Sequence, residues 1–107
     1  MAREQLQTLS EPMYYVLLAL TRPMHGYEIM QTVSVISNDR VAVGAGTLYA
    51  LLTRFENDGI IVRVTDDGRK KIYEITEKGR GLLDREYGRL KESIAAYDNH
   101  IGGGSNQ

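Results

Sequence analysis

The period at which apolar residues recur changes twice along this chain, and these two changes constrain its fold more than any other feature. Up to Gly59 the apolar residues recur at intervals of three and four, as on one face of an α-helix. From Ile60 to Ile75 β-branched residues flank the segment Asp66–Arg69, whose Asp-Gly pair favours a hairpin turn. Thr76 is then suited to cap a last helix. The sequence therefore predicts several helices, one hairpin and a long final helix.

Three short helices are expected before the hairpin. They are predicted over Pro12–Thr21 behind the N-cap Ser10, over Tyr27–Ser37, and over Thr47–Asp58 with Gly59 as the residue that ends the third helix. The first of them is apolar on nearly every side, so it is expected to be buried on more than one face. Two interpretations remain open for it, a central core helix or a helix that also lines a subunit interface.

The order of these elements is that of a winged helix-turn-helix protein. The predicted fold class is mainly α (α+β), a winged helix-turn-helix with a long C-terminal dimerisation helix. A very short strand is expected at Val41–Val43, ahead of the third helix. The expected divisions are a DNA-binding domain over residues 1–76, a dimerisation helix over 77–101 and a flexible glycine-rich tail over 102–107.

The final helix carries the most regular apolar pattern in the sequence. Its apolar residues are spaced 4, 3, 4, 3, 4, which is the a/d pattern of a helix that packs lengthwise on another helix. The alternative partner is the first helix of the same chain, but that helix is too short to cover a seam of roughly 27 Å at 1.5 Å per residue. A second copy is therefore the expected partner. The predicted dimer-interface residues are Tyr14, Tyr15, Leu18, Leu83, Tyr87, Leu90, Ile94, Tyr97 and Ile101.

The third helix and the hairpin are predicted to contact DNA. The helix face opposite its apolar stripe carries hydroxyls, a methyl and a guanidinium without a carboxylate, which suits base edges and phosphates. Glycines at its start leave room for a phosphate, although simple turn chemistry is the alternative reading. The basic hairpin suits the DNA backbone or minor groove, and its alternative is a solvated charged loop. The predicted DNA-binding residues are His25, Tyr27, Gly46, Thr47, Tyr49, Ala50, Thr53, Arg54, Arg69, Lys70 and Lys71.

Composition argues against several other classes of protein. The chain has 107 residues, a net charge of −1, two histidines and no cysteine. The histidines are far apart and no nucleophile, phosphate-loop or metal-ligand spacing is visible, so we expect neither an enzyme nor a cofactor nor a metal site. No apolar run approaches the ~20 residues that would cross a membrane. These features predict a cytoplasmic protein, and the charge pattern leaves room for one basic face.

Four segments of the sequence resemble the PadR family of bacterial transcriptional regulators. They are Met24–Ile29, Gly46–Leu52, Arg54–Ile60 and Lys71–Arg80. Each segment alone is a weak signal, but the four occur in the family's order and spacing, over roughly residues 12–100. The chain is similar to the short subclass, which has one C-terminal helix in place of a separate helical domain.

The resemblance implies a homodimeric repressor that binds a pseudo-palindromic operator and releases it when a small aromatic ligand binds near the dimer interface. Some relatives stack such a ligand on a tryptophan of the last helix, and this chain has no tryptophan. Tyr15 and Tyr97 are the candidate effector residues, with Tyr87 as the alternative to Tyr97, although both tyrosines of the last helix also fit as packing residues. Ala50 stands where many relatives have proline. The alternative function is a winged-helix protein-interaction module without DNA binding.

Overall fold

A computed structural model of the protein describes residues 8–66 and 70–102. Within these ranges the elements are α1 (Glu11–Ala19), α2 (Gly26–Ile36), α3 (Ala45–Asn57), β1 (Ile61–Asp66), β2 (Lys71–Ile75) and α4 (Glu77–Tyr97), followed by a π-helical turn (Asp98–Gly102). The four predicted helices and both strands of the predicted hairpin are present, and their ends lie within about two residues of those expected, except that α4 gives way to the π-helical turn after Tyr97. The fold is mainly helical with one small sheet, as predicted.

The helix ends follow the capping chemistry expected from the sequence. Ser10 precedes α1, and its hydroxyl accepts a hydrogen bond from the amide of Met13 at 3.3 Å. Gly59 follows α3 with φ at +75°, the left-handed conformation that glycine adopts without a steric penalty. Thr76 caps α4 by accepting a hydrogen bond from the amide of Gly79 at 3.1 Å. Local sequence therefore fixes where α1, α3 and α4 begin or end.

The hairpin is a two-stranded antiparallel sheet in which Ile61 faces Ile75. The register shifts between Arg63 and Thr65, so β1 carries a β-bulge at Val64. The residues of the predicted turn, 67–69, lie outside the described ranges, and so does the predicted DNA contact Arg69. The pairing on both sides of the turn confirms the predicted hairpin.

The free edge of β2 is paired by the turn before α2 and not by Val41–Val43. The amide of Met24 donates to the carbonyl of Tyr73 at 3.1 Å, and the amide of Tyr73 donates back at 3.0 Å. The short strand predicted at Val41–Val43 is therefore wrong. That segment is irregular, and its valines are apolar because the side chains of Val41 and Val43 are buried in the core.

The core lies between α1, α2, α3 and the inner face of the hairpin. Its fully buried side chains come from all four of these elements, which makes α1 a central core helix. The largest of them are Phe55, Leu17, Leu20, Ile29, Leu48, Leu52, Ile60, Ile61, Val16 and Val33. The tyrosines of α1 and Leu18 are only half-buried in the protomer. One side of α3 therefore packs against the core, and its opposite face is exposed to solvent.

The long helix α4 is packed over its first half only. Leu82 and Leu83 are buried against the rest of the chain, in part through contact of α4 with α1. Leu83 differs from its expected role at a subunit interface, because it lies in the core of its own protomer with 5% of its surface exposed. From Lys91 to Gly102 every residue is exposed. The helical course includes Gly102, which the sequence assigned to the tail, and residues 103–107 lie outside the described ranges.

No helix among the described residues is long and apolar enough to cross a membrane.

Candidate nucleic-acid interface

The solvent-facing side of α3 presents the residues that the sequence placed there. Thr47, Tyr49, Ala50 and Thr53 are exposed, and we call these four residues the recognition face. The opposite side of α3 is held by Leu48, Leu52 and Phe55, none of which is more than 1% exposed. Because the buried stripe fixes the rotation of the helix, the recognition face has one defined direction toward solvent.

The amino terminus of α3 is open. Its N-cap, Gly44, makes no side-chain hydrogen bond to the first turn. A Cβ added at Gly44 or at Gly46 would meet no atom within 4 Å, and neither glycine has a positive φ. The fold itself therefore does not require glycine at these positions. The first amide groups of α3 face outward without a capping side chain, a geometry that suits an incoming phosphate.

The amino terminus of α2 differs from that of α3 because it is closed by a capping box. The amide of Glu28 donates to Nδ1 of His25 at 3.5 Å, and the amide of His25 donates to Oε1 of Glu28 at 3.1 Å. Nε2 of His25 also lies 3.5 Å from the same carboxylate oxygen. The role predicted for His25 was a phosphate contact, and its observed contacts are those of a helix cap.

Gly26 brings the start of α2 against the recognition helix. A Cβ at this position would lie 2.4 Å from the hydroxyl oxygen of Tyr49 and 3.0 Å from the adjacent ring carbon. Glycine at this position lets the Tyr49 ring lie directly against the backbone of α2, while half of the tyrosine's surface remains exposed. The ring is both a contact between the two helices and part of the recognition face.

A cleft of about 550 Å³ lies between the start of α2, the recognition helix and the hairpin. We call it the wing cleft, and its lining residues are His25, Gly26, Tyr27, Tyr49, Lys70, Lys71 and Tyr73. The structure thus brings together five predicted DNA contacts from three separate elements. It adds Gly26 and Tyr73, which the sequence analysis did not assign to the site. Burial raises the pKa of the Tyr73 hydroxyl, and nearby Arg63 opposes that shift only in part.

Arg54, a predicted DNA contact, has a partner inside the protein, and so does Arg63 of β1. Nε of Arg54 is buried and lies 3.7 Å from Oδ2 of Asp58, the C-cap of α3. Arg63 lies 3.4 Å from the carboxylate of Glu56 and packs over the Tyr73 ring, so it is directed toward α3. An arginine therefore lies beside each of the two carboxylates at the carboxyl end of α3.

A second cleft, of about 360 Å³, lies between α1 and α4 and is called here the helix cleft. Tyr14 and Tyr15 line it with their rings edge to face, 5.6 Å apart between centroids. Glu86 lies at its base, buried and paired with Arg89, which holds the pKa of that carboxyl below its usual range. Of the two predicted effector residues, Tyr15 lines this cleft and Tyr97 does not.

What the sequence analysis missed in the site are contacts across elements. Gly26 and Tyr73 could have been noticed only as a glycine after a turn and an aromatic residue in a strand. Nothing in their local pattern shows that α2 and β2 meet beside Tyr49. Tyr73 is the one buried residue of β2, and no strict alternation of apolar and polar residues in the sequence marked that position.

The fold has three helices followed by a two-stranded wing, and its third helix is exposed beside a basic cleft. This arrangement defines a winged helix-turn-helix protein. The sequence matches the transcriptional regulator PadR-like family over residues 16–85, and the chain belongs to that family. The predicted resemblance is thereby confirmed. The chain is a DNA-binding transcription regulator, and members of the family are regulators and not enzymes.

Individual relatives agree with this assignment. The transcriptional regulator Rv3488 of Mycobacterium tuberculosis is 34% identical over 77 residues, which is 69% of this chain and 69% of that protein. A PadR-like transcription factor from Bacteroides fragilis is 31% identical with a TM-score of 0.66, covering 83% of this chain and 87% of the other. A transcriptional regulator from Clostridium thermocellum has a TM-score of 0.68 at 19% identity, covering 82% and 86%, and shows the shared fold.

Proposed function

We propose that this protein acts as a homodimer that binds a pseudo-palindromic operator and represses transcription from it. In each half-site the recognition face enters the major groove, and the wing cleft lies along the sugar-phosphate backbone. The observation that carries this proposal is the continuity of an acid-free α3 face with a cleft bearing Lys70 and Lys71. Because its target is the chromosome, the protein works in the cytoplasm of the cell.

The open amino terminus of α3 supports the proposed docking geometry. A recognition helix contacts bases with its first residues, so its amino terminus lies close to the phosphates that flank the groove. Gly46 and Thr47 are in that first turn, and neither position is blocked by a capping side chain. The glycines that the fold does not require are then explained by the closeness of DNA. A side chain at Gly46 would stand between the helix and the backbone of the duplex.

Dimerisation is proposed to occur through the second half of α4. Tyr87, Ile94, Tyr97 and Ile101 are each between 57% and 65% exposed in the protomer, and we call these four residues the distal seam. Their spacing places them on one side of the helix. Large exposed apolar side chains in a continuous stripe are typical of a subunit interface. Tyr14, Tyr15, Leu18 and Leu90 are half-buried and form the border of this surface.

The proposal is tested by the salt dependence of binding to a DNA fragment selected from a random pool. Log K against log salt should have a slope of several units, and each phosphate contact contributes roughly 0.9 unit. The double change Lys70→Ala, Lys71→Ala should lower the slope by roughly 1.8 units. The matched control removes two charges from α4 through Arg85→Ala and Lys91→Ala and should leave the slope unchanged. Weak binding with a flat response would favour the protein-interaction module.

A second variant examines the geometry at the amino terminus of α3. Gly46→Leu should preserve the fold, since the position is open and leucine favours a helix over glycine by roughly 0.5–1 kcal/mol. It should nevertheless reduce affinity for the selected DNA by at least about tenfold, because the side chain occupies the path of the backbone. Gly88→Leu, at another open glycine, is the control. Unchanged DNA affinity of Gly46→Leu would mean that the duplex does not approach the amino terminus of α3.

The helix cleft is the proposed site for an effector that controls operator release. It offers the paired rings of Tyr14 and Tyr15 with Leu90, next to the ion pair of the buried Glu86 and the exposed Arg89. A planar aromatic ligand could stack there and change the contact between α1 and α4. Tyr15→Ala should weaken binding of such a ligand, tested with a panel of phenolic acids by tyrosine fluorescence. Tyr97→Ala is the comparison variant, and it affects the ligand only if the partner's copy of this residue completes the site.

A further inference from the structure

The carboxyl end of the recognition helix is joined directly to the start of α4. The hydroxyl of Thr76 lies 2.7 Å from the carbonyl oxygen of Gly59 and 2.9 Å from that of Ile60, so it shares its proton between them. The amide of Thr76 also donates to the Ile60 carbonyl, at 3.0 Å. The same hydroxyl caps α4 by accepting from the amide of Gly79. One side chain therefore connects the end of α3 to the first turn of α4.

Two further contacts make this connection tight. Nζ of Lys78 donates to the carbonyl oxygen of Asp58, the last carbonyl at the end of α3, at 2.8 Å. A Cβ at Gly79 would lie 2.3 Å from the carbonyl oxygen of Ile60, so the two backbones touch with no side chain between them. We call this set of contacts, between Asp58–Ile60 and Thr76–Gly79, the junction. Most of its contacts end on backbone atoms, which cannot change rotamer.

The opposite end of α3 is anchored to other parts of the fold. The segment before it is held in the core by the buried side chains of Val41 and Val43, and the amide of Val41 donates to the Ser37 hydroxyl at 3.0 Å. The first turns of α3 lie against α2, where Tyr49 is close to Gly26. These contacts fix α3 on the core, whereas the contacts that join it to α4 lie at its carboxyl end.

We infer that the junction fixes the distance between the two recognition helices of the dimer and so determines which half-site spacing the operator must have. This inference rests on the proposed dimeric function. Thr76 and Lys78 are positioning residues, because they act on DNA through the placement of α3. The recognition face reads the half-site, whereas the junction determines how far apart two half-sites can be.

The length of α4 explains why small changes at the junction matter. At 1.5 Å per residue its 21 residues extend roughly 30 Å from the junction to Tyr97 in the distal seam. A rotation of about 10° at one end of such a lever displaces the other end by roughly 5 Å, more than the rise of about 3.4 Å between base pairs. A junction that allowed such rotation would let the dimer accept spacings that differ by a base pair or more.

The experiment compares affinity for DNA duplexes that carry two selected half-sites at different spacings. The spacing found by selection from random DNA is lengthened or shortened by one and two base pairs, and wild-type protein should bind the altered duplexes much more weakly. Thr76→Val combined with Lys78→Met should reduce this discrimination by about tenfold, since it removes the hydrogen bonds of the Thr76 hydroxyl to Gly59, Ile60 and Gly79 and that of Lys78 to Asp58. Thr76→Ser retains the hydroxyl and should discriminate between spacings as wild-type protein does. Arg85→Met is the control for loss of one charge from the same helix.

These measurements distinguish a positioning role of Thr76 and Lys78 from an effect on the stability of the protein. If the double variant is too unstable to isolate, Lys78→Met alone is measured, because Lys78 is exposed and its removal does not open the core. Affinity for a single half-site and dimerisation by sedimentation should stay at wild-type values in each variant. Variants that retain wild-type discrimination would overturn the inference and leave the proposed function intact. A wild-type protein that selects no paired half-sites would overturn both.

Discussion

The two halves of α4 share one apolar pattern but lie in different environments. In the first half, Gly79, Leu82, Leu83 and Glu86 are buried against the rest of the chain. In the second half every residue from Lys91 onward is exposed, although Ile94, Tyr97 and Ile101 continue the same spacing. A heptad pattern predicts that a helix packs lengthwise, but it does not say against what. In the first half of α4 the apolar residues pack within the protomer, and in the second half they remain exposed.

This difference separates two contributions to stability. Changes in the first half of α4 should lower the free energy of unfolding of each protomer at any concentration. Changes in the distal seam should alter the association of two copies and have little effect on the fold of either. Pairs of residues on this one helix can therefore distinguish protomer stability from association.

Ile94→Asp should dissociate the dimer. It would bury an unpaired carboxylate in each copy of the seam, at an expected penalty of about 4 kcal/mol or more, or roughly a thousandfold in the dissociation constant. Sedimentation velocity over a range of concentrations gives the measurement, and urea unfolding of the monomer should be unchanged. Ser93→Asp introduces the same charge at a neighbouring polar position and should leave the dimer intact. A variant at Ile94 that remains a tight dimer would remove the distal seam from the interface.

Leu83→Ala should lower protomer stability by about 3 kcal/mol, because it opens a cavity in a packed core. Ile94→Ala, measured at concentrations where the protein is monomeric, should change it by less than about 0.5 kcal/mol. Chemical denaturation of both variants gives the comparison directly. Equal losses would mean that the second half of α4 also contributes to the protomer's core.

Two glycines of α4 should respond in opposite directions to alanine. Gly79→Ala should destabilise the protein by about 2 kcal/mol, since the new methyl group would overlap the carbonyl of Ile60. Gly88→Ala, at an open position, should stabilise it by roughly 0.5–1 kcal/mol through helix propensity. Thermal unfolding is sufficient to detect both signs. A stabilising effect at Gly79 would mean that α4 can move away from the hairpin without loss.

Replacing Glu86 should change the stability of the protein least, and this change should depend on pH. Its pKa is lowered in the folded protein, chiefly by hydrogen bonding to Arg89. The stability it contributes is therefore present above its ordinary pKa of about 4.3 and is lost as pH falls through the lower folded value. Glu86→Gln should cost about 1 kcal/mol near neutral pH and make acid unfolding less steep. Glu92→Gln, at an exposed position, should leave the loss of stability at acid pH as in wild type.

The sequence predicted the elements of this fold well because their signals are local. Ser10, Gly59 and Thr76 act on the residues next to them, and the change of apolar period marks the hairpin without any long-range information. The rotation of α3, and hence its recognition face, follows from one buried stripe. These features were recoverable because each depends on residues within a few positions of one another.

The parts that the sequence did not predict depend on contacts between distant segments. The pairing of Met24 with Tyr73 replaced the strand expected at Val41–Val43, where alternating valines reflect burial and not pairing. The division of α4 into a packed and an open half lies where Glu86 and Leu90 meet the beginning of α1. None of these facts is encoded in a local pattern.

The bulge in β1 has a consequence for how the protein behaves at high concentration. β1 is the outer strand of the sheet, and Val62 and Val64 on it are each 45% exposed. A regular outer strand with exposed valines would offer a template to which strands of other molecules could add. The irregular register at Val64 interrupts the ladder of amide and carbonyl groups that such growth requires. We therefore expect restoring a regular strand by deleting Val64 to favour fibrillar aggregation.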